Sequence, residues 1–275
     1  MPRVNPKENS NENSGLFSLL EDFISHTGNY EYDKKDNLIF WGDFCPASGK
    51  MPGLDKSSSG LILLPVVSSV THVVETEDDF CGVCSLEISS SPGSVGGGGG
   101  LGSVNGFKLS DHDILSFTDG TGNDKSFSLS MWYKSADPYA SVADAYLISK
   151  LGEYSLFIDN NNRLNFKIQD ATGTNSKIKW SAANILSSTN WNHIVVTYDG
   201  SEDLNGMNIY VNAVKTVGSP FAGQSTGAYG GMTNGSNDIY FASNGTNGTS
   251  IPSGYIAEPA IWNIELSVEN IRAVY

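Results

Sequence analysis

The chain has little cysteine, few basic residues and no long apolar run, and each shortage removes a class of function. Its three cysteines are an odd number and cannot all pair within the chain. Cys81-Gly82-Val83-Cys84 is a single C-x-x-C, and Cys45 with four scattered histidines does not complete a tetrahedral zinc site, so the thiols read as ordinary buried or surface groups. Lysine and arginine total 16 against 30 aspartates and glutamates, a net charge of −14. That balance repels nucleic-acid phosphate and anionic lipid, so neither is expected as a direct partner. The longest apolar stretch, residues 61–67, is broken by Pro65 and falls far short of the ~18 residues a membrane span needs. The start, Met1-Pro2-Arg3-Val4-Asn5-Pro6, lacks the positive-then-apolar order of a secretory signal. The letters G-x-S-x-G occur once, at Gly223-Gln224-Ser225-Thr226-Gly227, but without the strand-to-helix pattern of a nucleophile elbow, so acyl transfer is not expected. Gly96 to Gly100 precede neither G-K-S/T nor a helical pattern, so they read as a flexible spacer and not as a phosphate loop.

What is present is an all-β pattern rich in turns. Apolar content of 39% and charged content of 17% describe a globular chain, and 30 glycines with many Asn, Ser and Thr supply its loops. The strongest stretch is Trp191-Asn192-His193-Ile194-Val195-Val196-Thr197-Tyr198-Asp199-Gly200. Residues 194 to 198 are all β-branched or aromatic and apolar on both parities, which predicts a central strand with both faces covered. Asp199-Gly200 closes it as a turn. Met207, Ile209 and Val211 then alternate with Asn208, Tyr210 and Asn212, which predicts a partner strand with one wet face. Residues 146–150, 154–158 and 164–168 predict a meander with a 159–162 hairpin loop, continued by residues 178–180.

Six stretches in order resemble the laminin-G-like and pentraxin-like jelly rolls of the concanavalin A-like group. These are Leu38-Ile39-Phe40-Trp41-Gly42-Asp43-Phe44 with the turn Asp55-Lys56-Ser57-Ser58-Ser59-Gly60; Asp111-His112-Asp113-Ile114-Leu115-Ser116-Phe117; Phe127-Ser128-Leu129-Ser130-Met131-Trp132-Tyr133; the central strand; the Met207 strand; and the close from Gly254 to Asn263 with Leu266-Ser267 and Ile271. The resemblance implies one β-sandwich of two antiparallel sheets over residues 37–275, with residues 111–117 as a strand, a short C-terminal helix and a Gly-rich insertion around 89–105. It also implies a non-catalytic binding or adhesion role, since the group holds glycan binders, adhesion modules and viral surface proteins.

Candidate chemistry is sparse. Glu75-Thr76-Glu77-Asp78-Asp79 has the alternation of a glycosidase carboxylate pair but not its apolar spacers, so it reads as a solvated acidic loop and the chain as a non-enzyme. In the resembled pentraxin segment an Asp and the following amide bind calcium, which would place calcium on Asp111 and Asp113. Here His112 stands for the amide, and residues 243–250 bring no carboxylate toward the 6–8 oxygens calcium needs, so no cofactor is expected. Trp132, Trp180 and Tyr210 are the candidates for a sugar-stacking platform, in competition with ordinary half-buried sheet aromatics. His193 reads as a hydrogen-bonded sheet histidine.

Residues 1–36 precede the module. The first fifteen are too polar to bury surface of their own. Leu16, Phe17, Leu20, Phe23 and Ile24 then form one helical face, which packs either on the sandwich or on a neighbouring subunit. Taken together, the expectation is a surface structural or adhesion protein of a virion, a phage capsid decoration or tail protein, with other subunits and host glycans as partners. The alternative is a carbohydrate-binding lectin module of a cell-surface or secreted protein.

Overall fold

A computed structural model of the chain describes residues 37–43, 54–55, 57–65, 71–74, 84–88, 106–135, 144–170, 172–187, 190–216, 223–245 and 254–275. In chain order the strands are β1 (Leu38–Asp43), β2 (Leu54–Asp55), β3 (Leu63–Pro65), β4 (Thr71–Val74), β5 (Cys84–Ile88), β6 (Phe107–Leu109), β7 (Phe127–Ser135), β8 (Ala145–Lys150) and β9 (Tyr154–Ile158). They continue as β10 (Leu164–Gln169), β11 (Ser176–Trp180), β12 (Asn192–Tyr198), β13 (Met207–Val211), β14 (Val214–Lys215), β15 (Gly223–Thr226), β16 (Ile239–Phe241) and β17 (Gly254–Trp262). The chain closes on the helix α1 (Val268–Ala273). The N-terminal arm, the Leu16 to Ile24 face, the acidic 75–79 stretch and the Gly-rich run at 96–100 lie outside the described residues.

The strands form two antiparallel sheets. One runs β14-β13-β12-β7-β17-β1-β2, with β5 and β4 continuing beside β17; the other runs β15-β11-β10-β9-β8-β16-β6-β3. This is the two-sheet jelly roll that the sequence pattern implies. β12 lies between β7 and β13, with Ile194 opposite both Met131 and Val211. The turn after β12 needs its glycine: Gly200 has φ +83, and a Cβ there would stand 3.0 Å from the Lys125 carbonyl carbon and the Ser126 nitrogen.

One face of each sheet builds the shared core. Phe127, Leu129 and Met131 of β7, Ile194, Val196 and Tyr198 of β12, and Ile209 of β13 pack against Leu147, Leu156, Leu164 and Phe166 of the second sheet. Each such side chain, taken from water to full burial, contributes about 1.5–3 kcal/mol. The outer face of the first sheet is also covered. Trp41, Val195, Tyr210, Ala260 and Trp262 form a second cluster with Leu266, Ile271 and Val274 around α1. At six residues α1 is too short to stand alone. Packing holds it, helped by Ser267 Oγ accepting from Asn270 N and by Glu269 and Arg272 placed to suit the helix dipole.

Two local expectations change. β13 has no wet face: Asn208 and Tyr210 are buried along with the odd residues, because α1 and its flanks cover that side. Residues 111–117 do not form a strand. The strand is β6, immediately before, and Asp113–Leu115 is one 3-10 turn capped by His112, whose Nδ1 accepts from Ile114 N. Between residues 60 and 106 the described residues form β3, β4 and β5, which extend both sheets, while the expected insertion around 89–105 lies outside the described residues.

The Asp55 turn is tied by its own carboxylate, which accepts from Ser57 N, Ser57 Oγ, Ser59 Oγ, Leu61 N and Trp41 N. At the same end of the sandwich Asp124 accepts from Tyr198 Oη and Tyr229 Oη, each at 2.7 Å, and from Met232 N at 2.6 Å. Two loops are thereby pinned to the end of β12.

Candidate functional site

The three aromatic candidates do not form one platform. Trp180 is on β11 of the second sheet, with the Arg163 guanidinium 5.1 Å from its ring centroid. That guanidinium is in turn held by Asp159 through Nε at 2.8 Å and Nη2 at 2.6 Å. Tyr210 is 5% exposed and belongs to the cluster under α1, so its ring offers no surface. Trp132 is different. It alternates outward on β7 beside His193 of β12 and Ala257 of β17. Its ring stacks on Tyr275 at 5.7 Å and 20°, and it packs with Tyr255 against the buried Trp191 and Ala257.

This corner of the outer face therefore carries Trp132, Tyr255 and Tyr275, the last 48% exposed, and Lys134, whose Nζ lies 5.9 Å from the Tyr255 ring centroid. Rings, a tyrosine hydroxyl and an ammonium share one patch beyond the edge of α1. Sequence reasoning found Trp132 but not Tyr255 or Tyr275, whose neighbourhood depends on how β17 and the C-terminal residues cross β7.

His193 sits beneath this patch and is fully buried. Its Nε2 is 2.8 Å from Ser130 Oγ, Nδ1 has no hydrogen-bond partner, and burial drives its pKa down to about 3. A neutral ring with one satisfied nitrogen and no accompanying carboxylate is a packing group that supports Trp132 from below.

The calcium candidates lie at the opposite end, and a cation of the chain's own occupies that place. Lys150 of β8 has a side chain with no exposure, and its Nζ lies 2.8 Å from Asp111 Oδ1, 2.7 Å from Glu153 Oε1, 2.8 Å from Asn237 O and 3.3 Å from Gly235 O. Glu153 is buried, which raises its pKa, and the Lys150 ammonium opposes that rise. Asp113 is not part of this set; its Oδ1 accepts from Asn234 Nδ2 at 2.8 Å. The two aspartates of the calcium candidate thus have different partners, Asp111 the Lys150 ammonium and Asp113 the Asn234 amide. Among the described residues no group of three or more His, Cys, Asp or Glu is placed to hold a metal ion.

Two sheets, a core between them and a short closing helix over one outer face define a lectin-like jelly roll. A family model described as the concanavalin A-like lectin/glucanases superfamily matches residues 109–272, and the chain belongs to that family. Among solved structures, the chain is similar to the binding domain of Paraclostridial Mosquitocidal Protein 1, with a TM-score of 0.61 and 16% identity over 86% of this chain and 51% of that one. It is also similar to the botulinum neurotoxin serotype D binding domain, with a TM-score of 0.59 and 17% identity over 88% of this chain and 52% of that one. A third is a botulinum neurotoxin type C structure, described as dependent on two ganglioside molecules for cell entry, with a TM-score of 0.61 and 16% identity over 88% and 51% of the two chains. At these identities the likeness is one of fold, and the chain spans about half the length of the structures it matches. No curated protein matches the chain in sequence.

Proposed function

We propose that the chain is a non-catalytic surface adhesion module that contacts glycans through the aromatic corner around Trp132. The observation that carries this reading is the ring patch itself. Trp132 and Tyr255 are half-buried and Tyr275 stands out, so flat apolar faces lie beside a hydroxyl and the Lys134 ammonium. A pyranose has the matching character, with C–H groups on its faces and hydroxyls around its rim. The non-catalytic half of the proposal is supported by the fate of Asp111 and Glu153. These two carboxyls come close together, but both are paired with the buried Lys150 ammonium rather than facing an open cleft as an acid and base would.

The setting we favour is a virion surface, with glycans of the host as targets. Its support is the sequence of residues 1–24, a polar arm followed by one apolar helical face suited to docking on a neighbouring subunit. Removal of residues 1–36 is then expected to leave a folded sandwich that no longer joins its parent particle; normal occupancy of the shortened chain would refute the docking role.

The glycan reading is tested by applying the full chain to a glycan array and repeating the measurement with Trp132→Ala, Tyr255→Ala and Trp180→Ala. Binding is expected to fall at least tenfold in the first two, with unchanged melting curves, and to persist in the third. A chain that binds nothing on the array, or binds equally well without Trp132 and Tyr255, refutes the assignment.

A further inference from the structure

Three titratable side chains meet at the loop end of the second sheet, and the glycan contact uses none of them. Lys150 ends β8, where its backbone pairs with Tyr154 of β9 on one side and Ile239 of β16 on the other. Asp111 follows β6, on the far side of β16, and lies 39 positions earlier in the chain. Glu153 lies in the turn between β8 and β9, with its N donating to Lys150 O at 3.0 Å. The sheet order thus brings together an amine and a carboxyl from strands that are not neighbours, and a second carboxyl stands against the same amine.

The Lys150 side chain has no exposure, and its Nζ touches Asp111 Oδ1 at 2.8 Å and Glu153 Oε1 at 2.7 Å. Each partner is fixed from behind. Asp111 N donates to Asp238 Oδ1 at 3.0 Å, and Asp238 is itself paired with Lys108 at 2.6 Å. Glu153 Oε1 accepts from Gly235 N at 3.1 Å, and the Ser116 hydroxyl acts on the same carboxyl. Asn237 O, at 2.8 Å from Nζ, orients the amine. Groups held in contact in this way react as if at very high concentration, with effective molarities of about 10⁵–10⁸ M for well-placed pairs.

The two carboxyls are suited to different tasks. Asp111 is 27% exposed at its side chain, so an oxygen that leaves it reaches solvent, whereas Glu153 is 1% exposed and has no such exit. Burial raises the pKa of Glu153, which suits it to hold a proton and hand it on.

We propose that Lys150 and Asp111 join in an amide bond that the chain forms on itself, with Glu153 as the acid and base. The ion pair is the state that precedes the bond. Glu153 takes one proton from the Lys150 ammonium and passes it to Asp111, which turns a carboxylate into an electrophilic carboxylic acid. The freed amine, still donating to Asn237 O, turns its lone pair to Asp111 Cγ, and the Nζ–Cγ bond forms. Glu153 then moves a second Nζ proton to one carboxyl oxygen, the C–O bond breaks, and water leaves by the exposed side of Asp111. Two of the three ammonium protons depart with that oxygen and the third stays on the amide. One positive and one negative charge cancel, Glu153 is restored, and no oxidant or co-reactant is required. The product clamps β8 to the segment after β6 across β16. The step is internal to the chain, so it stands or falls apart from the glycan reading.

The test is the intact mass of the full chain, held folded at neutral pH and then unfolded for measurement. The bond predicts a mass one water below that of the sequence. Tandem spectra of a tryptic digest are expected to show a branched peptide joining residues 109–125 to residues 135–163, uncut after Lys150. Lys150→Met, Asp111→Ala and Glu153→Gln are each expected to restore the full mass, the last with both joined residues still present. A native chain at its full sequence mass overturns the inference without any variant, so a variant that fails to fold does not protect it. A water loss that persists in Lys150→Met or Asp111→Ala overturns it too, since it then arises elsewhere, as at Asp119-Gly120 or Asp199-Gly200 through a succinimide. A branch from Lys150 to Glu153 in place of Asp111, or full water loss in Glu153→Gln, overturns the roles given to the two carboxyls.

Discussion

Replacing Lys150 with methionine removes a buried ammonium while keeping most of its volume, and the consequences follow from what is left behind. Glu153 is 1% exposed; without Lys150 its Oε1 retains Gly235 N at 3.1 Å and its Oε2 still has nothing. Asp111, at 27% side-chain exposure, can turn to water and adds little. Breaking one half of a buried ion pair costs about 3–5 kcal/mol, against a total stability of about 5–15 kcal/mol for an ordinary domain. The sign of the pH dependence is fixed by Glu153. Its folded pKa is already raised by burial, and losing the ammonium raises it further above the unfolded value near 4.3. Between those two values the folded state holds more protons than the unfolded one, so stability falls as pH rises. The deficit of Lys150→Met is therefore expected to be largest at pH 7.5 and to shrink steadily toward pH 4.5. Urea unfolding followed by tryptophan fluorescence at pH 7.5, 6.0 and 4.5 measures it, with Lys150→Met/Glu153→Gln expected to recover most of the loss. A cost below 1 kcal/mol at pH 7.5, or one that does not change with pH, refutes the reasoning.

Three further outcomes follow from the geometry. Millimolar calcium is expected to leave the melting temperature of the native chain unchanged, because Lys150 fills the oxygen cage at Asp111; a site bound at a hundred times its Kd would add about 2.7 kcal/mol, so a rise reversed by chelator refutes this. His193, held near a pKa of about 3 by burial, binds fewer protons folded than unfolded between there and about 6.5, so stability is expected to fall as pH drops through that window, by up to about 1.4 kcal/mol per unit. A His193→Gln variant with the same acid slope as the native chain would contradict it. Tyr198→Phe removes a hydroxyl that donates to Asp124 and accepts from Glu202 N, and is expected to cost about 1–3 kcal/mol in urea unfolding; a neutral result would mean the Asp124 knot does not hold these loops.

The parts of this molecule legible in the sequence are those where a strand's own side chains decide its place. Residues 194 to 198 have apolar groups on both parities, and β12 is covered on both sides; the 146–168 alternation is the β8-β9-β10 meander. Where a covering element is distant in sequence, the local pattern misleads. Met207, Ile209 and Val211 alternate with polar residues as a half-wet strand does, yet α1, some sixty residues later, buries the other face. Residues 111–117 read as strand from the family resemblance, but His112 capping a tight turn and Asp111 reaching Lys150 take the backbone out of the sheet. The aromatic candidates divide in the same way, since a Trp or Tyr on a strand names a face only once the sheet order is known. Trp132 and Trp180 fall on different sheets, and Tyr210 falls under the helix.

The ion at Asp111 carries this point furthest. An aspartate at the head of a loop, in a segment that resembles a calcium-binding one, invites a metal, and neither Asp111 nor Asp113 says otherwise. The deciding residue is Lys150, 39 positions on in the chain and at the end of a strand that reads as ordinary β-sheet. Its ammonium draws together two carboxylates and two backbone carbonyls from three separate loops, as a cation would, but it is covalently attached. A tethered cation cannot dissociate, so the order it gives residues 111, 153 and 235–237 does not depend on ion concentration. Asn234, next to that set, donates through Nδ2 to Asp113 Oδ1 at 2.8 Å. The geometry of the loop end is thus coupled through Gly235 to a tethered group, and Lys150→Met is expected to loosen that loop end as well as the fold.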